Sequence, residues 1–206
     1  MNLKKIFLDL TTELDELDLI REEILKVSRT IIRDCSIAIK NVHRREFKEY
    51  SEKVNEIQIN HNKLLSLIDI NRGEFSKHLK TPEQEYSEAV VFHSIISNKD
   101  IPSPDELNII PLNFALGLAD VIGELRRYAL DNIRNSQIED LNQILELMDE
   151  IYSYLFSLDY PSGLTQDLRH KTDLARNLIE KTRGDISISL QMNELKRCIE
   201  SNVKSK

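Results

Sequence analysis

Between Leu3 and Glu56 the chain contains neither proline nor glycine, and Ile20, Ile24, Val27, Ile31, Cys35, Ala38 and Val42 recur every three or four positions. That spacing draws one apolar stripe along an α-helix and cannot line one face of a strand. The reverse face carries charge, so one long helix, bent if need be, is expected. Such a helix is not held by propensity alone; its stripe needs a partner surface. Five Gly and five Pro in 206 residues leave little for the many tight turns of an all-β fold. Leu, Ile, Glu, Lys and Arg are abundant instead, as in long helices. The expected class is all-α.

Punctuation downstream divides the rest. A second helical segment, about 60–70, meets a stop at Asn71-Arg72-Gly73. Thr81-Pro82-Glu83-Gln84 opens a third helix to about Ser97, with Thr81 as N-cap and Pro82 in the first turn. Ser103-Pro104-Asp105-Glu106 starts a short fourth, Pro111 a fifth to about Asn132, and Ile138 a sixth to Ser157. Tyr160-Pro161-Ser162-Gly163 breaks the chain before a seventh helix, Leu164 to Arg183, which Gly184 ends. The tail from Ile186 to about Asn202 is less regular. With no repeat or low-complexity stretch, residues 1–206 read as one domain, a bundle of about seven helices with short connections.

The net charge of -7 excludes a uniformly basic nucleic-acid coat, so any polyanion must meet a local basic face or a metal ion. One such face is present: Lys26, Arg29, Arg33, Lys40, Arg44, Arg45 and Lys48 face only Asp34 and Glu46 in the same window, a net of about +5. It reads equally as a solvated helix face or as a phosphate-tracking surface. Few aromatics interleave with it, so base stacking has little support. Cys35 lies in the apolar pattern and reads as a buried free thiol. No apolar run approaches the roughly 18–20 residues that span a bilayer, and the beginning is not a signal peptide, so the cytoplasm is the expected location.

Acidic residues interrupt two apolar helices. Glu85 and Glu88 are three apart in Glu85-Tyr86-Ser87-Glu88-Ala89-Val90-Val91-Phe92. Asp120 and Glu124 are four apart in Leu116-Gly117-Leu118-Ala119-Asp120-Val121-Ile122-Gly123-Glu124-Leu125, and Arg127 follows on their face. Each pair shares a helix side. One reading is a solvated face or salt-bridge stripe, with Arg127 compensating an acid. The other is an oxygen-rich site for Mg²⁺ or Mn²⁺, since buried carboxylates need compensation. A ferritin-like di-iron site needs Glu-x-x-His, which these acids lack. An all-α nucleotide pyrophosphohydrolase, with Glu-x-x-Glu and then Glu-x-x-Asp, fits only in its first half. Acid-only endonuclease chemistry fits both pairs.

These stretches, together with Leu168-Arg169-His170-Lys171-Thr172-Asp173, Glu180-Lys181, Ser28-Arg29 and Val42-His43-Arg44-Arg45, resemble the translin family, and its TRAX branch more than translin proper. The resemblance implies an all-α bundle in a hollow octameric shell that binds single-stranded RNA and DNA. It further implies Mg²⁺-dependent endoribonuclease activity, because TRAX-type subunits carry interior catalytic acids and translin subunits lack the first pair. Glu85, Glu88 and Asp120 match the catalytic, metal-holding positions, and Glu124 matches an acid of the neighbouring motif. Arg29, Arg33, Lys40, Arg44, Arg45 and Arg127 are the expected nucleic-acid contacts. Asp185-Ile186-Ser187-Ile188-Ser189 departs from the family's usual ending, and the loop before Pro111 is shorter than in animal TRAX. These departures bear on assembly, and a homo-oligomer without a separate translin subunit is expected. The alternatives are a non-catalytic single-stranded DNA- or RNA-binding protein and a nucleotide pyrophosphohydrolase.

Overall fold

A computed structural model describes residues 2–71, 73–137 and 140–204. Arg72 of the expected stop and Ile138 at the expected start of the sixth helix lie outside them. Among the described residues there is no strand. The helices are α1 (Leu3–His43), α2 (Phe47–Ile70), α3 (Lys80–Ile96), α4 (Pro104–Leu107), α5 (Pro111–Arg134), α6 (Leu141–Ser157), α7 (Ser162–Thr165) and α8 (Leu168–Lys204), with a 3-10 turn at Ser76–Leu79 before α3. The chain groups into two compact units, one up to Asn113 and one from Phe114.

In the first unit α1 packs against α2 and α3. The apolar stripe does so: Ile24, Val27, Ile31, Cys35, Ala38 and Val42 are all buried, and α2 adds Tyr50, Ile57, Leu64 and Ile68. Fully burying one such aliphatic side chain stabilises by roughly 1.5–3 kcal/mol. Cys35 is buried as expected, and Cys198 is exposed. Asn2 caps α1 by accepting the Lys5 N–H at 3.3 Å.

The expected helix from Leu3 to Glu56 is not continuous. It ends at His43, and the segment expected to begin near Asn60 is the second half of α2. The closure is hydrogen-bonded: Arg45 N–H donates to Val42 O at 3.0 Å and Glu46 N–H to Asn41 O at 2.9 Å. Arg45 takes the left-handed conformation at φ 60, the place usually filled by glycine. The same pair of bonds ends α3 at Asn98, α4 at Asn108 and α5 at Ser136.

Two further boundaries differ. The 3-10 turn runs directly into α3, which starts at Lys80, so Thr81 lies in the first turn and is not its cap. Gly184 does not end the last helix. It sits inside α8, which begins only at Leu168 after the one-turn α7. The short fourth helix forms as expected, with a reciprocal Ser103–Glu106 capping box.

In the second unit α6 packs on α8. Leu141, Ile144, Leu145, Met148, Ile151 and Leu155 are buried on α6, and Leu168, Ala175, Ile179 and Ile186 on α8. Arg183 donates to both Asp149 oxygens at 3.0 and 2.8 Å, joining the two helices. Arg126 ties α5 to α8 through Thr182 Oγ1 and Asp185 Oδ2, each at 2.9 Å. No helix among the described residues is long and apolar enough to cross a membrane.

Candidate functional site

On α3 the two expected acids share a face at different depths: Glu88 is buried and Glu85 half-buried. Both act on Cys35 of α1. Burial is the chief cause that pushes the Cys35 thiol well above its ordinary value; Glu85, Asp34 and Glu88 push it further. Three carboxylates therefore act on the place where α1 meets α3. Asp34 is buried and lies 3.3 Å from Arg33 Nε and 3.8 Å from Lys53 Nζ. The sequence reading treated Asp34 only as a charge within the basic window. Its place among Ile31, Ile32 and Cys35 was the available sign of burial.

On α5 each acid has a cation within its own unit. Lys171 donates to both oxygens of Asp120, at 2.5 and 2.7 Å. Arg127 lies 3.6 Å from Glu124, one turn along the helix. Arg127 thus compensates an acid, as one sequence reading expected. The role of Lys171 went unread although its stretch had been singled out, because nothing in the spacing pairs it with α5.

A third buried acid, Glu83, has a different task. It is fully buried, and its Oε1 lies 3.1 Å from His61 Nε2 of α2. Its Oε2 accepts from Ile110 N–H at 3.0 Å and Asn113 Nδ2 at 2.8 Å. Every contact is to a scaffold group, so Glu83 clamps α2, α3 and the entry to α5.

Carboxylate oxygens are the donors that Mg²⁺ and Mn²⁺ prefer, so the chemistry of Glu85, Glu88 and Asp120 fits such an ion. Completeness is another matter. Among the described residues no group of three or more His, Cys, Asp or Glu is gathered to hold a metal. Asp120 also directs both its oxygens to Lys171.

The basic residues lie along the outer side of α1. Lys26, Arg29, Arg33, Lys40 and Arg44 are exposed at spacings of three, four, seven and four, which keeps them on one stripe. Lys26, Arg29, Arg33 and Lys63 line an open groove of about 930 Å³ between α1 and α2, which Glu22 and Glu23 also enter. Arg29 Nε donates to Leu25 O, and Arg44 approaches Glu46 at 4.0 Å. Arg45 and Lys48 continue the exposed positive charge into the turn.

Few aromatics interleave with this stripe in the sequence, yet rings do gather beside the turn. Tyr50 stacks on His93 with ring centres 3.8 Å apart at 17°, and Phe47 meets His93 edge-on at 5.6 Å. Phe47 and Tyr50 share α2, and folding α2 against α3 brings the remote His93 to them. Burial, then Lys99, hold His93 below the usual histidine range.

The described residues form an all-α fold with acids on α3 and an exposed basic stripe on α1. The Translin family pattern covers residues 19–183, and the chain belongs to that family. It is 41% identical to an uncharacterized protein of Methanocaldococcus jannaschii over 87% of this chain and 80% of that one. It is 26% identical to the Translin-associated protein X homolog of Schizosaccharomyces pombe, over 57% of this chain and 53% of that protein. The chain thus spans about half the length of that relative. The crystal structure of AfC3PO superposes with a TM-score of 0.80 at 28% identity, covering 93% of this chain and 98% of that one. The AfC3PO–duplex RNA complex gives 0.69 at 29% identity, with the same coverage.

Proposed function

We propose that this chain binds single-stranded RNA as a subunit of a homo-oligomer and cleaves it as a Mg²⁺-dependent endoribonuclease. The observation that carries the reading is the acid face of α3. Glu88 is buried and Glu85 half-buried, and both place their charge, with Asp34, on the α1 seam. Carboxylate oxygens gathered beside one seam are the donor type that a divalent cation takes. The ligand set is the one the family resemblance assigns, Glu85, Glu88 and Asp120, with Mn²⁺ as the alternative ion. A bound ion would supply Lewis acidity to the scissile phosphate. The chain's own residues do the rest. Lys171 fixes the orientation of Asp120, and Arg127 fixes that of Glu124. The exposed stripe of Arg29, Arg33, Lys40, Arg44 and Arg45 would track the phosphates, with Arg127 as a further contact.

Two things support binding and assembly. A duplex RNA complex exists for a relative of the same fold. The α1 seam also continues beyond the core as Leu3, Phe7, Leu10 and Leu14, exposed in the single chain. An apolar stripe of this period suits a partner helix, and the octamer that the family resemblance implies would provide one.

A second reading, a binding subunit without turnover, is favoured by one observation: Lys171 already occupies both Asp120 oxygens. Cleavage of a labelled single-stranded RNA by the purified protein, with Mg²⁺ and with chelator, separates the two. The proposal expects metal-dependent product. Binding that persists without product in either condition supports the second reading.

A further inference from the structure

Beside the turn that joins α1 to α2 lies an open pocket of about 450 Å³, lined by Phe47, Tyr50, Ser51, His93, Ile96, Ser97 and Lys99. Its size falls in the range of small-molecule sites, roughly 300–1,000 Å³. Three rings form one side: Tyr50 is buried behind His93, and Phe47 stands at the mouth, 39% exposed. The Ser97 hydroxyl, also lining it, is buried with no hydrogen-bond partner among the described residues.

The surroundings are charged. Arg44, Arg45 and Lys48 precede or flank Phe47, and Lys99 closes the far side; Glu46, Glu49, Glu52 and Asp100 are the acids next to the lining residues in sequence. Arg45 holds a left-handed backbone at φ 60, which strains a non-glycine residue. Glycine would take this position more cheaply, yet the chain keeps a cation there.

We propose that this pocket receives one unstacked nucleobase of a bound RNA strand, Phe47 stacking on its face and His93 meeting its edge, while Arg44, Arg45, Lys48 and Lys99 hold the adjoining phosphates. Rings beside cations are the means by which single strands are bound with little sequence preference. His93 lies five residues past Glu88, roughly 140° round the helix. The pocket therefore faces away from the acid face, and its role is to anchor the strand. The inference rests on the proposed RNA binding and is independent of cleavage.

The test compares a labelled oligouridylate with an abasic ribose-phosphate oligomer of equal length, at fixed salt. Wild type, Phe47→Ala and Phe47→Trp are measured, with oligomer size checked by light scattering. Phe47→Ala is expected to weaken binding of the base-bearing strand by roughly 5- to 150-fold. The abasic strand and the slope of affinity against salt should not change. Phe47→Trp should restore affinity, and because the chain has no other Trp, its emission should be quenched only by the base-bearing strand. Unchanged affinity in Phe47→Ala overturns the proposal, as does an equal loss on both strands or a changed oligomer size. If the wild type binds neither strand, the RNA-binding reading falls and this inference with it. If it binds both and Phe47→Ala matches it, only the pocket falls.

Discussion

Glu83 and Glu88 stand five residues apart on α3, both buried, and the molecule uses them differently. Glu83 meets His61, the Ile110 N–H and Asn113, all within 3.1 Å. Removing it leaves a buried histidine, a backbone donor and an amide without their acceptor. Glu83→Ala is therefore expected to destabilise by about 3–5 kcal/mol in a urea titration. A loss below about 1 kcal/mol would show that the clamp is not what joins these elements. The histidines make a second residue-scale case. Burial is the main cause that holds both His93 and His78 below the ordinary value of 6.5; Lys99 adds to it for His93, and Lys77 then Arg21 for His78. The His78 Nε2 is buried with no partner among the described residues, which agrees with a neutral ring. The folded state thus favours neutral rings. Their contribution is complete above about pH 6.5, and it is lost as pH falls through the depressed folded values because the unfolded chain takes up protons first. Melting temperature should decline below pH 6.5. His93→Gln with His78→Gln should flatten that decline; an equally steep fall in the double variant would assign it to other groups.

At the scale of elements, the long helices were legible and several of their ends were not. The 3.6-residue period of Ile24, Val27, Ile31, Cys35, Ala38 and Val42 carries through to burial because packing against α2 and α3 selects that face. The break after His43 was hidden because its left-handed closing residue is Arg45, which no propensity argument would place there. Asn98 at the end of α3 is a residue that accepts this conformation, and the end read near Ser97 matched. Gly184 misled in the opposite sense: packing of Ile179 and Ile186 on either side carries α8 through it. A Cβ added at Gly184 meets no atom within 4 Å. Gly184→Ala should therefore stabilise the protein by about 0.5–1 kcal/mol, measured by urea denaturation, since a helix-interior glycine loses more backbone freedom on folding. Destabilisation would mean that this side of α8 is covered in the assembly. The candidate site was legible in the same uneven way. The acids of α3 and α5 announce themselves as charges inside apolar runs. Lys171 and the Phe47–Tyr50–His93 cluster depend on tertiary contacts that no local period records.

For the whole molecule, the arrangement of charge matters more than its sum. A chain of net charge -7 keeps a cationic stripe along one helix and buries acids on another. Exposed cations bind phosphates through a salt-sensitive, sequence-tolerant term. Buried carboxylates instead suit a metal-assisted reaction at a phosphodiester. Family membership and the superposition on AfC3PO fix the fold that carries these residues. The central claim is that the acid face of α3 performs chemistry. It is tested most directly by comparing wild type with Glu88→Gln for cleavage of a labelled single-stranded RNA in Mg²⁺, alongside RNA affinity and oligomer size. The substitution keeps the side chain's shape and removes its charge. The account predicts at least about a 100-fold loss of cleavage, of the order seen when a group stabilising developing charge is removed, with affinity and assembly unchanged. Cleavage at the wild-type rate by Glu88→Gln would contradict it and leave the acids of α3 as structural charges in an RNA-binding subunit.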